Sequence, residues 1–150
     1  MHKLFGIVIL LFALNCKSTQ NQAKMTKDNI VVIGKGNLYG SGAERIDKQN
    51  LVITTSEEWK DLLNKMNSVN NVTDSFSETE IDFSKYIVIT VFEEVKNTGG
   101  HSLDLIIQEA KDKILVEVLR KSPDGIATSV MTQPYFIVKI LKNDLPVVFQ

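Results

Sequence analysis

Apolar residues recur along this chain in blocks of differing period. Leu4 to Leu14 is an unbroken apolar run behind His2 and Lys3, and residues 17–27 (KSTQNQAKMTK) then offer almost no large apolar side chain. That polar stretch cannot bury a core and predicts a flexible tether. Ile30–Ile33 reads as a short buried strand, and Gly34, Gly36, Gly40 and Gly42 after it predict turns or bulges. Leu51–Thr54 reads as a second strand. Trp59, Leu62, Leu63 and Met66 follow at i, i+3, i+4 and i+7, with Lys60, Asp61, Asn64 and Lys65 on the opposite side. This spacing predicts an amphipathic helix laid on a sheet, with Trp59 and Met66 as core. Thr55 and Glu58 match the capping box that starts such a helix. Residues 67–80 (NSVNNVTDSFSETE) are polar and read as a long surface loop.

Strand signals dominate the second half. Tyr86–Phe92 (YIVITVF) is a continuous β-branched and aromatic run, as expected of a central strand covered on both faces. Leu103, Leu105 and Ile107 alternate with Asp104, Ile106 and Gln108, and the polar link 109–113 leads to Ile114–Leu119, which predicts a hairpin. Tyr135–Leu141 reads as a further strand, and Pro146–Phe149 closes the sheet. Short polar links favour antiparallel neighbours, because a parallel return needs a longer crossover. Gly99 and Gly100, between Phe92 and Leu103, read as the turn of another hairpin. The expected class is α+β, a mainly antiparallel sheet carrying one helix, with a β-sandwich as the alternative.

Composition narrows the function classes. With 150 residues, 43% hydrophobic and 23% charged, the chain suits one globular domain, placed at 28–150. A formal net charge of -1, with no basic cluster interleaved with aromatics, argues against nucleic acid as a partner.

The apolar run at the N-terminus is too short to span a bilayer and suits the core of a signal peptide over residues 1–15. The one cysteine, Cys16, stands directly behind it. Ala13-Leu14-Asn15-Cys16 resembles a bacterial lipobox, although Asn15 occupies the place of the usual small residue. That resemblance implies lipidation at Cys16 and a lipoprotein held on a membrane of the bacterial cell envelope through 16–27. It also accounts for a lone thiol with no disulfide partner.

Candidate chemistry thins out on inspection. GKGNLYGSG, residues 34–42, lacks the Gly-Lys-Ser/Thr ending that places an ammonium and a hydroxyl on phosphates. If residues 101–105 enter a strand, His101 faces away from Ser102 and Asp104, so no base reaches the serine. His2, the one other histidine, leaves with the signal. One histidine and no free thiol leave no metal site. Glu93 and Glu94 read as solvated acids at a strand end rather than a catalytic pair. No catalytic residue and no cofactor is expected.

Three stretches carry a resemblance: Ile81–Ile89, Lys96–Leu103 with its Thr98-Gly99-Gly100-His101-Ser102 turn, and Thr132–Ile140 opening on Pro134-Tyr135. Together they resemble the C-terminal domain of the PrcB family, over residues 81–150. His101 stands where the family favours an aromatic. The resemblance implies a noncatalytic lipoprotein subunit that binds or stabilises an exported protease. Under that reading Asn97, Thr98, Gly99, Gly100, His101 and Ser102 form one binding rim with Gln133, Pro134 and Tyr135. Asn97-Thr98-Gly99-Gly100 and Gln133-Pro134-Tyr135 also loosely resemble the loops of chagasin-like cysteine protease inhibitors. A small-ligand-binding or structural envelope lipoprotein is the third alternative.

Overall fold

The computed structural model describes residues 23–24 and 29–150. The expected signal peptide, Cys16 and most of the expected tether lie outside these residues. Among the described residues, eight strands and one α-helix follow in chain order: β1 (Ala23–Lys24), β2 (Ile30–Leu38), β3 (Gln49–Ile53), α1 (Ser56–Met66), β4 (Tyr86–Phe92), β5 (Ser102–Glu109), β6 (Ile114–Lys121), β7 (Gln133–Leu141) and β8 (Val147–Phe149). A short 3-10 turn, Val72–Ser75, interrupts the loop expected over 67–80.

The strands form two four-stranded sheets, ordered β2-β7-β4-β3 and β1-β5-β6-β8. Every pairing is antiparallel except that of β6 with β8, which is parallel. The structure therefore realises the α+β class with two sheets in place of the single sheet expected. Ala23–Lys24, inside the expected tether, pairs with Gln108 and Glu109.

Strand β4 explains the layering. Its side chains alternate between two cores. Ile87, Ile89 and Val91 meet Leu103, Ile107, Ile114, Val116 and Val118 of the facing sheet. Val88 and Phe92 point the other way, towards Trp59, Leu62 and Met66 of α1. Strand β7 divides likewise, with Phe136, Val138 and Ile140 on the sheet side and Tyr135 and Ile137 on the helix side. The result is three layers: helix, central sheet, second sheet.

Strand β2 runs five residues beyond the expected Ile33. Its register against β7 shifts between Val32 and Gly34, a bulge that leaves Ile33 without a partner in the ladder. Beside the bulge, the Ser77 amide donates to the Ile33 carbonyl at 2.9 Å and the Ser77 hydroxyl to the Val32 carbonyl at 3.0 Å.

The helix starts as its sequence predicts. Thr55, in an extended conformation, caps it: its Oγ1 accepts from the Glu58 amide at 3.3 Å. The Glu58 carboxylate accepts from the Thr54 amide and from the Thr55 hydroxyl. The Thr54 amide first, then the Thr55 hydroxyl, hold the Glu58 carboxyl below its usual range. Trp59 is 2% exposed, and its indole Nε1 donates to the Thr79 carbonyl at 2.7 Å, pinning the following loop over the helix. Trp59→Ala should destabilise the domain by about 3–5 kcal/mol, since it leaves a cavity and an unpaired carbonyl. The midpoint of chemical denaturation measures this, and a change below about 0.5 kcal/mol would contradict the packing described.

Candidate functional site

The connection between β4 and β5 is not the hairpin turn that two adjacent glycines predict. Strand β4 already has β3 on one side and β7 on the other, so no edge remains for β5. Residues 93–101 instead cross from the central sheet to the second one. At the same end of the molecule lie the turn between β2 and β3, residues 39–48, and the link between β6 and β7, residues 122–132. Three loops thus converge on one end.

Buried polar contacts join them. Gln133, 1% exposed, donates through Nε2 to the Ile46 carbonyl at 2.7 Å and to the Glu93 carbonyl at 2.9 Å. The Glu93 amide donates to the Pro134 carbonyl at 2.9 Å. Lys96 and Thr132 exchange backbone bonds at 2.7 and 3.0 Å, and the Thr132 hydroxyl donates to the Thr98 carbonyl at 2.9 Å. The Gly99 amide donates to the Thr128 carbonyl at 3.0 Å. Both glycines are required by this arrangement. A Cβ on Gly99 would stand 2.4 Å from the Thr128 hydroxyl oxygen, and Gly100, at φ +83°, would set one 2.9 Å from Pro123.

The residues of the expected rim differ in exposure. Asn97, Gly100 and Ser102 are exposed, Thr98 and His101 half-buried, and Gly99 buried. Gln133, Pro134 and Tyr135 adjoin this loop and all three are buried, though Pro134 lines a cleft beside His101 and Arg120. Tyr135 is 3% exposed and sits on the helix side of the central sheet, with its ring centroid 6.1 Å from that of Phe76 and 6.3 Å from that of Phe92. Burial pushes its phenol up, against a smaller opposing contribution from Ser75. Strand alternation decides this: in β7 the helix-facing positions are core.

Exposed apolar side chains stand at the same end. Tyr39 is 60% exposed in one loop, and Ile126 (103%), Val130 (38%) and Met131 (41%) project from the loop that backs Gly99. None was among the expected site residues. For Ile126, Val130 and Met131 the signal in the sequence is a set of large apolar residues in a stretch with no strand period, 122–131, opened by Pro123 and Gly125.

Glu93 also departs from expectation. It is 3% exposed rather than solvated, and its carboxylate meets the Lys48 ammonium, the Arg120 guanidinium and the Glu94 amide. Burial alone would raise its pKa, but the Lys48 hydrogen bond, the Glu94 amide and Arg120 outweigh that and bring it to about 2. Glu94 stays exposed and pairs with Lys96 at 2.6 Å. The Glu93–Arg120 pair lines a cleft of about 140 Å³ together with Lys96, His101 and Lys121.

One contact resembles a nucleophile and its base: Thr98 Oγ1 lies 2.9 Å from His101 Nε2. Catalysis of that kind also needs a group that orients the second ring nitrogen, and among the described residues no hydrogen bond reaches His101 Nδ1. The Asn37 side chain donates through Nδ2 to the His101 carbonyl at 3.2 Å, so both contacts fix the turn. Among the described residues no three His, Cys, Asp or Glu side chains gather as metal ligands would.

Residues 87–140 match the family model described as PrcB C-terminal. The PrcB C-terminal match opens in β4 and closes in β7, a narrower span than residues 81–150. It takes in the crossing loop, both glycines and the loop with Ile126, and leaves out β2, β3 and α1. No match was found among curated proteins or among solved structures.

The charge at Glu93 sets an acid limit to stability. A carboxyl whose folded pKa lies below its unfolded value stabilises the fold above the unfolded pKa, and that contribution disappears as pH falls through the folded one. With Glu93 lowered from 4.5 to about 2, the loss falls between those values and amounts to at most about 3 kcal/mol. Glu93→Gln should be less stable at pH 7 and show a shallower decline from pH 5 to pH 2 by urea denaturation. Parallel curves for parent and variant would contradict the pairing.

Proposed function

We propose that the protein is a noncatalytic subunit of an exported protease complex, held at the cell envelope by an acylated Cys16, and that it contacts its partner through the end where the three loops converge. One observation carries the reading: the PrcB C-terminal match covers two of the three loops that build this end, the crossing loop and the loop bearing Ile126. The chemistry fits a docking surface. Exposed Tyr39, Ile126, Val130 and Met131 supply apolar contact area, and Asn97 and Ser102 supply hydrogen-bonding groups beside them. Loops fixed by buried bonds lose little entropy when a partner binds. The chagasin-like alternative needs two exposed loops, and burial of Gln133, Pro134 and Tyr135 withdraws the second.

The partner is identified by recovering the acylated protein from envelope membranes with whatever protease accompanies it. Met131→Ser and Asn97→Ala should then weaken binding of that protease by about tenfold together, with the denaturation midpoint unchanged. Binding as tight as the parent's would rule out this end as the contact.

The anchor has its own test. The short apolar run at the N-terminus suits export rather than spanning, so Cys16→Ala should abolish lipid labelling and release the domain from the membrane fraction. Retention in that fraction with unchanged labelling would refute the lipoprotein reading.

A further inference from the structure

The chain enters the domain at the end opposite the three loops. Strand β2 starts with Ile30 opposite Ile140 and reaches the loop end only at Leu38, opposite Gln133. Strand β1 agrees from the second sheet: Ala23 lies beside Glu109, the last residue of β5, whereas Ser102, the first, stands at the loop end. Any chain upstream of Ala23 is therefore joined to the domain at its far end.

The length of that chain limits what the loop end can touch. Seven residue steps, 16 to 23, separate Cys16 from Ala23. Whatever its conformation, a chain of that length spans at most about 25 Å. Along β5 the way from Glu109 to Ser102 takes another seven steps, about 23 Å in all, and the loops lie beyond Ser102. Turning the loop end down onto the lipid would consume the whole reach of the chain and leave none for the loops. Without β1 the attachment would fall at Ile30, fourteen steps from Cys16 (16 to 30), with a reach of up to about 50 Å. The two-residue strand halves the reach.

We propose that β1 acts as a clip that keeps the loop end turned away from the membrane, so that Tyr39, Ile126, Val130 and Met131 meet a water-exposed domain of the protein partner and not the bilayer. The proposal rests on the acylated Cys16 and on the protein-binding reading above. It decides between two uses of the same side chains. On a lipid-anchored protein an exposed apolar patch serves either as a second membrane contact or as a contact for another protein. The point of attachment selects the second, and it sets the contacting part of the partner roughly 25 Å or more above the lipid surface.

The test uses the full acylated chain in phospholipid vesicles that carry a headgroup-attached quencher. A fluorophore is placed by Lys111→Cys at the far end or by Ser129→Cys at the loop end, both exposed positions. Acylated Cys16 is a thioether and takes no thiol-directed label. Quenching should be at least about threefold stronger at position 111 than at 129, because contact with the lipid surface falls off steeply over the roughly 25 Å between the two ends. Ala23→Pro with Lys24→Pro removes both amides that β1 can offer to β5 and frees the chain as far as Ile30, so the difference should shrink. Equal quenching in the parent, stronger quenching at position 129, or a difference that the proline pair leaves unchanged would overturn the proposal. Lipid labelling of the same preparations separates its failure from that of the reading beneath it. Labelled protein with equal quenching keeps the anchor and loses the orientation, whereas unlabelled protein loses both. Quenching is read without a partner, so the loop-end contact stands or falls by its own variants.

Discussion

The pairing of β4 with β7 holds the molecule together. These two inner strands of the central sheet are buried on both faces, and their register, Ile87 opposite Ile140 through Phe92 opposite Tyr135, fixes which side chains go to which core. A slip of one residue would exchange the two sets, sending Phe92 and Tyr135 into a space shaped for Val91 and Phe136. The helix and the second sheet each pack on what this pair presents. Neither core exists without it, so the two cores should be lost together on unfolding.

The loop end is built by the same strands. Strands β4 and β7 finish and begin there, and Gln133 reaches back from the first residue of β7 to the carbonyls of Ile46 and Glu93. Glu93, one residue past β4, gathers Lys48 and Arg120 from either side. Exposed Ile126 and Met131 therefore sit on a support that is bonded, not merely packed. This is the combination a docking surface needs: mobile-looking composition on a fixed base.

Local signals made much of this legible in the sequence. The helix, its Thr55 cap and its Trp59 stripe were readable because each depends on residues within one or two turns. Tyr86–Phe92 was readable as a doubly covered strand because both faces are apolar. What was not readable depended on partners distant in the chain. Gly99 and Gly100 look like a hairpin turn until β3 and β7 are seen to occupy both sides of β4. Glu93 looks like a surface acid until Lys48 and Arg120 arrive from elsewhere. Tyr135 looks like an interface aromatic until β7 takes its place in the centre, and Ile126, Val130 and Met131 look like ordinary apolar residues until the loop carries them outward.

Strand β2 also constrains how the chain can be made. Ile30 finds its partner at Ile140, so during synthesis β2 lacks its partner strand β7 until about a hundred further residues have followed. Contacts of such span slow folding, and an unpaired strand invites association in the interval. Its composition, with Gly34, Lys35, Gly36 and Asn37 in succession, is poorly suited to sticking to other strands. The same residues that make β2 a weak strand by itself let it wait for the end of the chain.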